Sequence, residues 1–172
     1  IVSGGFNGAL AADLILISGD GGDSWASPLP FGGGTGLFFT DLVYTDGLYI
    51  AATKNLYTAN NCQGDSIGHT NVRVSSDGKV WNTILLRDEP ASSNRILHDG
   101  TQFIAVGDDS TIFASFDGYN WKEFQLPIRD VDYLSAAWDG SKLVVAGRTN
   151  WCYWIDGEAN PIERPIGISS TD

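Results

Sequence analysis

Ser115-Phe116-Asp117-Gly118-Tyr119-Asn120-Trp121 is the stretch that decides the fold. The apolar run Thr111-Ile112-Phe113-Ala114 precedes it and Lys122-Glu123-Phe124-Gln125-Leu126 follows. Strand, tight turn, strand is the natural reading. Gly accepts a left-handed backbone there, and Asp bonds its own backbone two or three residues on. The stretch recurs as Ser75-Ser76-Asp77-Gly78-Lys79-Val80-Trp81. It recurs again, one residue longer, as Ser18-Gly19-Asp20-Gly21-Gly22-Asp23-Ser24-Trp25. Trp154-Ile155-Asp156-Gly157 is a degenerate copy without the Ser and the closing Trp.

The copies keep a period. Asp77 to Asp117 is 40 residues and Asp117 to Asp156 is 39. A second turn, Asp46-Gly47, Asp99-Gly100 and Asp139-Gly140, joins two apolar strands in each period, and Asp99 to Asp139 is again 40. Two hairpin turns per period mean four strands per unit, which predicts an all-β chain built as a β-propeller of four-stranded antiparallel blades. No segment shows helical periodicity.

With these residues in view, Ser-x-Asp-x-Gly-x-x-Trp resembles the Asp-box (BNR) repeat of β-propellers, a family that includes sialidases, other glycosidases, sortilin-type receptors, photosynthetic assembly factors and phage adhesins. Here Gly follows Asp directly. The resemblance implies a structural role for Ser18, Asp20, Gly21 and Trp25, for Ser75, Asp77, Gly78 and Trp81, for Ser115, Asp117, Gly118 and Trp121, and for Asp156 and Gly157. It implies little about activity, because one fold hosts many functions.

The expected domain is a single propeller, or a piece of one, over 1–172, with blades near 1–30, 39–87, 95–126 and 132–166 and a tail at 167–172. In the first blade Ile1 to Gly4 align with the second strands of later blades, Leu14 to Ile17 form the third, and Trp25 opens the fourth; the innermost is missing. In the last, Trp151 to Trp154 are read as a third strand and Ile162-Glu163-Arg164 as a fourth. Ile166-Gly167-Ile168-Ser169 is then a further innermost strand. Paired with Ile1-Val2-Ser3 it would close a ring of four; the competing expectation is a larger ring of six to eight blades. The chain contains no Met and starts at Ile1, so a processed or excised piece is expected.

Composition bounds the function. The formal net charge is −11, with ten Lys and Arg against 21 Asp and Glu. Phosphate binding needs clustered cations, so nucleic acid is not an expected partner. No apolar run is long enough for a membrane span. Cys62 and Cys152 are far apart and show no metal spacing, so either a disulfide or two thiols is open. No metal and no cofactor are expected, and His69 and His98 sit in no triad or metal motif.

Candidate ligand residues come from two places. Asp46 to Asp77 is 31 residues against 18 for Asp99 to Asp117, so about 13 extra residues lie between Lys54 and Asn71. Long insertions on a regular scaffold are often functional, which nominates Tyr57, Asn60, Asn61, Asp65 and His69. Arg95, Arg129 and Arg148 fall where loops of one face gather, and three such guanidiniums can hold a carboxylate by forked hydrogen bonds. Their bland reading is pairing with Asp108, Asp109, Asp130 and Asp132. The Trp151-Cys152-Tyr153-Trp154 run reads as core at its first and third positions, with Trp154 near the turn.

No catalytic residue emerges. Sialidases resemble one another in an Arg-Ile-Pro motif and an arginine triad; Arg164-Pro165-Ile166 is only a permutation of the former. The leading expectation is a non-enzymatic recognition or adhesion module, binding a glycan or a protein surface, extracellular, on a cell surface or on a virion. The alternatives are a piece of a glycoside hydrolase and a structural scaffold, a homo-oligomer or part of a larger assembly.

Overall fold

A computed structural model describes residues 2–5, 13–27, 37–55, 69–88, 91–155 and 158–169. Among the described residues every regular element is a strand, and all pairings are antiparallel. β1 (Val2–Gly5) pairs with β2 (Asp13–Leu16) in a first sheet. β3 (Leu37–Thr45), β4 (Leu48–Asn55), β5 (Thr70–Ser75) and β6 (Asn82–Arg87) form a second, in chain order. β7 (Ser93–His98), β8 (Phe103–Gly107), β9 (Thr111–Ser115) and β10 (Lys122–Gln125) repeat that meander as a third. β11 (Val131–Trp138), β12 (Leu143–Ile155) and β13 (Glu158–Ser169) make a three-stranded fourth sheet.

The turns follow from their residues. Asp46 (φ 53°) and Gly47 (φ 79°) are both left-handed, as a two-residue hairpin with the strand twist requires. Asp99 and Asp139 close longer turns instead. Each carboxylate accepts two N–H bonds of 2.8 Å, from Thr101 and Gln102 in one case and Ser141 and Lys142 in the other.

Strand alternation sends successive side chains to opposite faces, and the sheets stack on both. Ile15 of the first sheet meets Phe39 and Ala51 of the second. Ile50, Ala52 and Val74 of the second meet Ile96, Phe103, Ala105 and Phe113 of the third. Ile104, Val106 and Ile112, on the other face of the third, meet Val131, Tyr133, Ala136 and Val145 of the fourth. β8 is therefore buried along its whole length.

The stacking repeats in its polar contacts too. The leading strand of the second, third and fourth sheets carries a one-residue irregularity, at Thr40, Asn94 and Leu134. Thr40 donates its hydroxyl to the Ser93 carbonyl (2.9 Å), and Asn94 donates its amide to the Tyr133 carbonyl (3.0 Å). In each case the acceptor is the residue just before the next sheet's irregularity.

Among the described residues the strand opened by Trp25 shows one bridge, Ile17 to Ala26, and its continuation past Ser27 lies outside them. Two expectations are corrected. The separate second and third strands of the last unit are one strand, β12, so the sheet has three strands rather than four. The cause is the missing turn. The third sheet turns through Asp109 (φ 64°) and Ser110 (φ 61°), both left-handed. The matching Thr149 is β-branched and stays extended. Finally, Ile166 to Ser169 pair with Gly147 to Val144 of β12, and β1 pairs with β2. The tail thus extends β13 along β12, and among the described residues it does not pair with β1, which lies in a separate sheet.

Candidate functional site at the polar end of the sheets

A meander places alternate connections at opposite ends of its sheet. The Asp-Gly turns and the Ser-Asp-Gly-Trp turns share one end. The β4–β5, β6–β7, β8–β9 and β10–β11 connections share the other.

At the first end each Ser-Asp-Gly-Trp turn is closed by its own side chains. Ser75 Oγ accepts the Gly78 N–H (2.9 Å), Asp77 Oδ1 accepts those of Lys79 (2.8 Å) and Val80 (2.9 Å), and Trp81 Nε1 donates to the Gly78 carbonyl (2.9 Å). Ser115, Asp117, Gly118 and Trp121 repeat this bond for bond. In the first sheet Ser18 accepts from Gly22 (2.7 Å), Asp20 from Ser24 (2.9 Å), and Trp25 donates to Gly22 (3.0 Å). Gly22 thus fills the place expected of Gly21, and Gly21 is the inserted residue. The backbone N–H of Asn120, its side-chain amide and the Tyr119 N–H hold the Asp117 carboxyl well below the usual range. The Ser24 hydroxyl and N–H do so for Asp20, and the N–H groups of Val80 and Lys79 for Asp77. Gly118 presses on the neighbouring sheet, where a Cβ would lie 2.6 Å from Ile50 Cδ1 and 2.7 Å from Leu48 Cδ2. His98 also serves this end: its Nδ1 accepts the Gly100 N–H (3.1 Å) and its ring stands edge-on to Phe103.

The second end gathers charge. Arg95 grips Asp41 across two sheets, Nη1 to Oδ1 and Nε to Oδ2 at 3.2 Å each, and Asp41 also accepts the Ile96 N–H (2.9 Å). Arg87, mostly buried, reaches Asp109 (2.9 Å) and Glu123 (3.3 Å) on the third sheet. Asp108 accepts from Asn94 Nδ2 (2.7 Å) and the Ser92 N–H (3.2 Å). Arg148 lies 3.8 Å from Asp132, its register partner. His69 meets Asp88 at 2.9 Å, both exposed. Arg129 is exposed beside Asp130, which is left-handed (φ 58°). Beneath lies a buried hydroxyl cluster: Ser93 Oγ accepts the Thr53 N–H (2.9 Å) and reaches the Asn71 carbonyl (2.9 Å).

Arg95 and Arg148 are therefore each engaged by their own carboxylate. Pairing with Asp132 matches the bland reading; Asp41 as the partner of Arg95 and Arg87 as the partner of Asp109 were not foreseen. Local spacing carries no signal for contacts between residues 54 and 22 positions apart. Tyr57, Asn60, Asn61, Asp65, Cys62, Asp156 and Gly157 lie outside the described residues, as do the side chains of Trp151, Cys152, Tyr153 and Trp154. No cluster of three or more His, Cys, Asp or Glu suited to a metal occurs among the described residues.

Comparison with protein-family models, with curated proteins and with solved structures finds no match to this chain.

Proposed function

We propose that the chain is a β-propeller recognition module that presents its charged end, with the insertion between β4 and β5, to a glycan or a protein surface outside the cell or on a virion. One observation carries the reading: the bond from Thr40 to Ser93 recurs as Asn94 to Tyr133 at the same place in the repeat. Equal contacts between successive sheets imply the same geometric step from one to the next, which supports blades repeated around an axis. At the charged end the carboxylates and guanidiniums hold the loops in place. Loops positioned by a rigid scaffold are where binding residues concentrate. His69, Asp88 and Arg129 are exposed there, all three outside the strands. The acidic balance opposes nucleic acid as the partner.

A glycan array probed with the intact chain tests this. Binding is expected to fall at least tenfold when residues 56–68 are replaced by a Gly-Ser linker, and to survive Asp117→Asn at the opposite end. Hydrolysis of a chromogenic sialoside, or binding unaffected by the linker, overturns it.

A further inference from the structure

Two faces of the repeat stay exposed among the described residues. Ile50 and Ala52 on β4 face the next sheet and are fully buried by it. Ile104 and Val106 stand at the same places on β8 and are buried by the fourth sheet. Counting from the same turn, the third pair is Val144 and Ala146 on β12. Val145 between them is buried against the third sheet, while Val144 is 43% exposed and Ala146 is exposed. Leu134, at the place of the donors Thr40 and Asn94, is 45% exposed, and Ala137, the register partner of Val144, is exposed.

The opposite end has the converse defect. Trp81 packs on the cluster shared by the first and second sheets, and Trp121 on that shared by the second and third. Each turn tryptophan thus leans on the sheet before its own. Trp25 belongs to the first sheet and is 45% exposed. Leu16 is half-buried beside Ile15, which points the other way into the core.

We infer that the β11–β13 face with Val144, Ala146 and Leu134 docks the first sheet of a second copy of this chain, Trp25 lying on Val144 as Trp121 lies on the cluster of Ile50 and Ala52. The surface continues an interface used twice within the chain, and what it lacks is what the other end offers. The contact is heterologous, patch to different patch, so copies join head to tail. It rests on the sheet order and not on the ligand: a variant that fails to associate still carries the charged end and binds on the array if that reading holds.

Complementation tests the pairing. Sedimentation across a dilution series is expected to give a weight-average mass above that of one chain for the native sequence. Trp25→Glu alone and Val144→Glu alone each remain at single-chain mass. An equimolar mixture of the two recovers a species of two chains, because each supplies the patch the other has lost. Leu16→Glu and Ala146→Glu repeat the design with smaller changes, and circular dichroism with an unchanged melting temperature verifies folding. A native chain that stays at single-chain mass throughout overturns the inference. So does a Trp25→Glu variant that still associates, which assigns the apolar face to a like-with-like pair, or a mixture that does not recover.

Discussion

Asp117 is exposed, yet every carboxylate oxygen is occupied by the turn it closes: the Asn120 N–H (2.8 Å) and Asn120 amide (2.7 Å), the Tyr119 N–H (2.9 Å) and the Ser115 hydroxyl (3.0 Å). A charge-assisted bond to N–H groups favours the ionised form. Asp20, Asp77, Asp99 and Asp139 are shifted the same way. In all five the folded state binds its proton more weakly than the unfolded chain does. The stability this supplies is present above the ordinary Asp value, about 3.9, and drains as pH falls below it toward the depressed folded values. Asp117→Asn keeps an acceptor and removes the charge. It is expected to lower the melting temperature at neutral pH and to flatten the fall between about pH 5 and about pH 2. Melting curves at a series of pH values check this, and curves for the two proteins that run parallel into acid reject it. These turns were legible in the sequence because their partners lie two to four residues apart. The inserted residue of the first turn was the exception: only geometry distinguishes Gly22 from Gly21, since both are left-handed.

At the scale of elements, two glycines fix how the leading strands sit. A Cβ on Gly107 would lie 1.9 Å from the Ser92 carbonyl oxygen, and one on Gly147 2.1 Å from that of Asp132. Both obstacles are backbone, so neither can swing aside. Gly100 is the contrast, left-handed at φ +99° but with nothing within 4 Å of a Cβ. Gly100→Ala is expected to cost about 1–2 kcal/mol, the penalty of a left-handed Ala. Gly107→Ala forces the β7 and β8 backbones apart and is expected to cost about 3 kcal/mol or more, the upper range of overpacking. Denaturant titration of both variants measures the difference, and equal losses would mean that the close approach is not holding the strands. The strands of the second and third sheets were readable because Asp-Gly turns bound apolar runs. The fate of β12 was less so, because the repeat suggests a turn after Gly147, and of the pair matching Asp109-Ser110, Thr149-Asn150, only the β-branched Thr149 argues against one.

For the whole molecule, the question is whether a stack of similar sheets unfolds together or piece by piece. Repeat arrays whose units touch only their neighbours can lose cooperativity. Here the third sheet has no face of its own. Ile96, Phe103 and Ala105 are buried against the second sheet, and Ile104, Val106 and Ile112 against the fourth. Losing either neighbour strips one side of β8. The Arg95–Asp41 and Arg87–Asp109 pairs and the Ser93 hydroxyl, bonded to Thr53 and Asn71, tie second to third sheet. None of these ties can be read from local pattern, because each joins residues more than 20 positions apart. A single transition is therefore expected. Ile96→Ala opens a cavity at one interface and Ile104→Ala at the other, each costing about 3 kcal/mol. Both should move the transition seen by tryptophan fluorescence, to which Trp138, Trp151 and Trp154 of the fourth sheet contribute beside Trp81 and Trp121, and the one seen by far-ultraviolet dichroism by the same amount. If Ile104→Ala instead leaves a second transition at the native midpoint, the fourth sheet unfolds alone and the third does not need it. Coincident shifts from both sites mean that damage on one face of β8 is felt on the other, and that the sheets hold one another up.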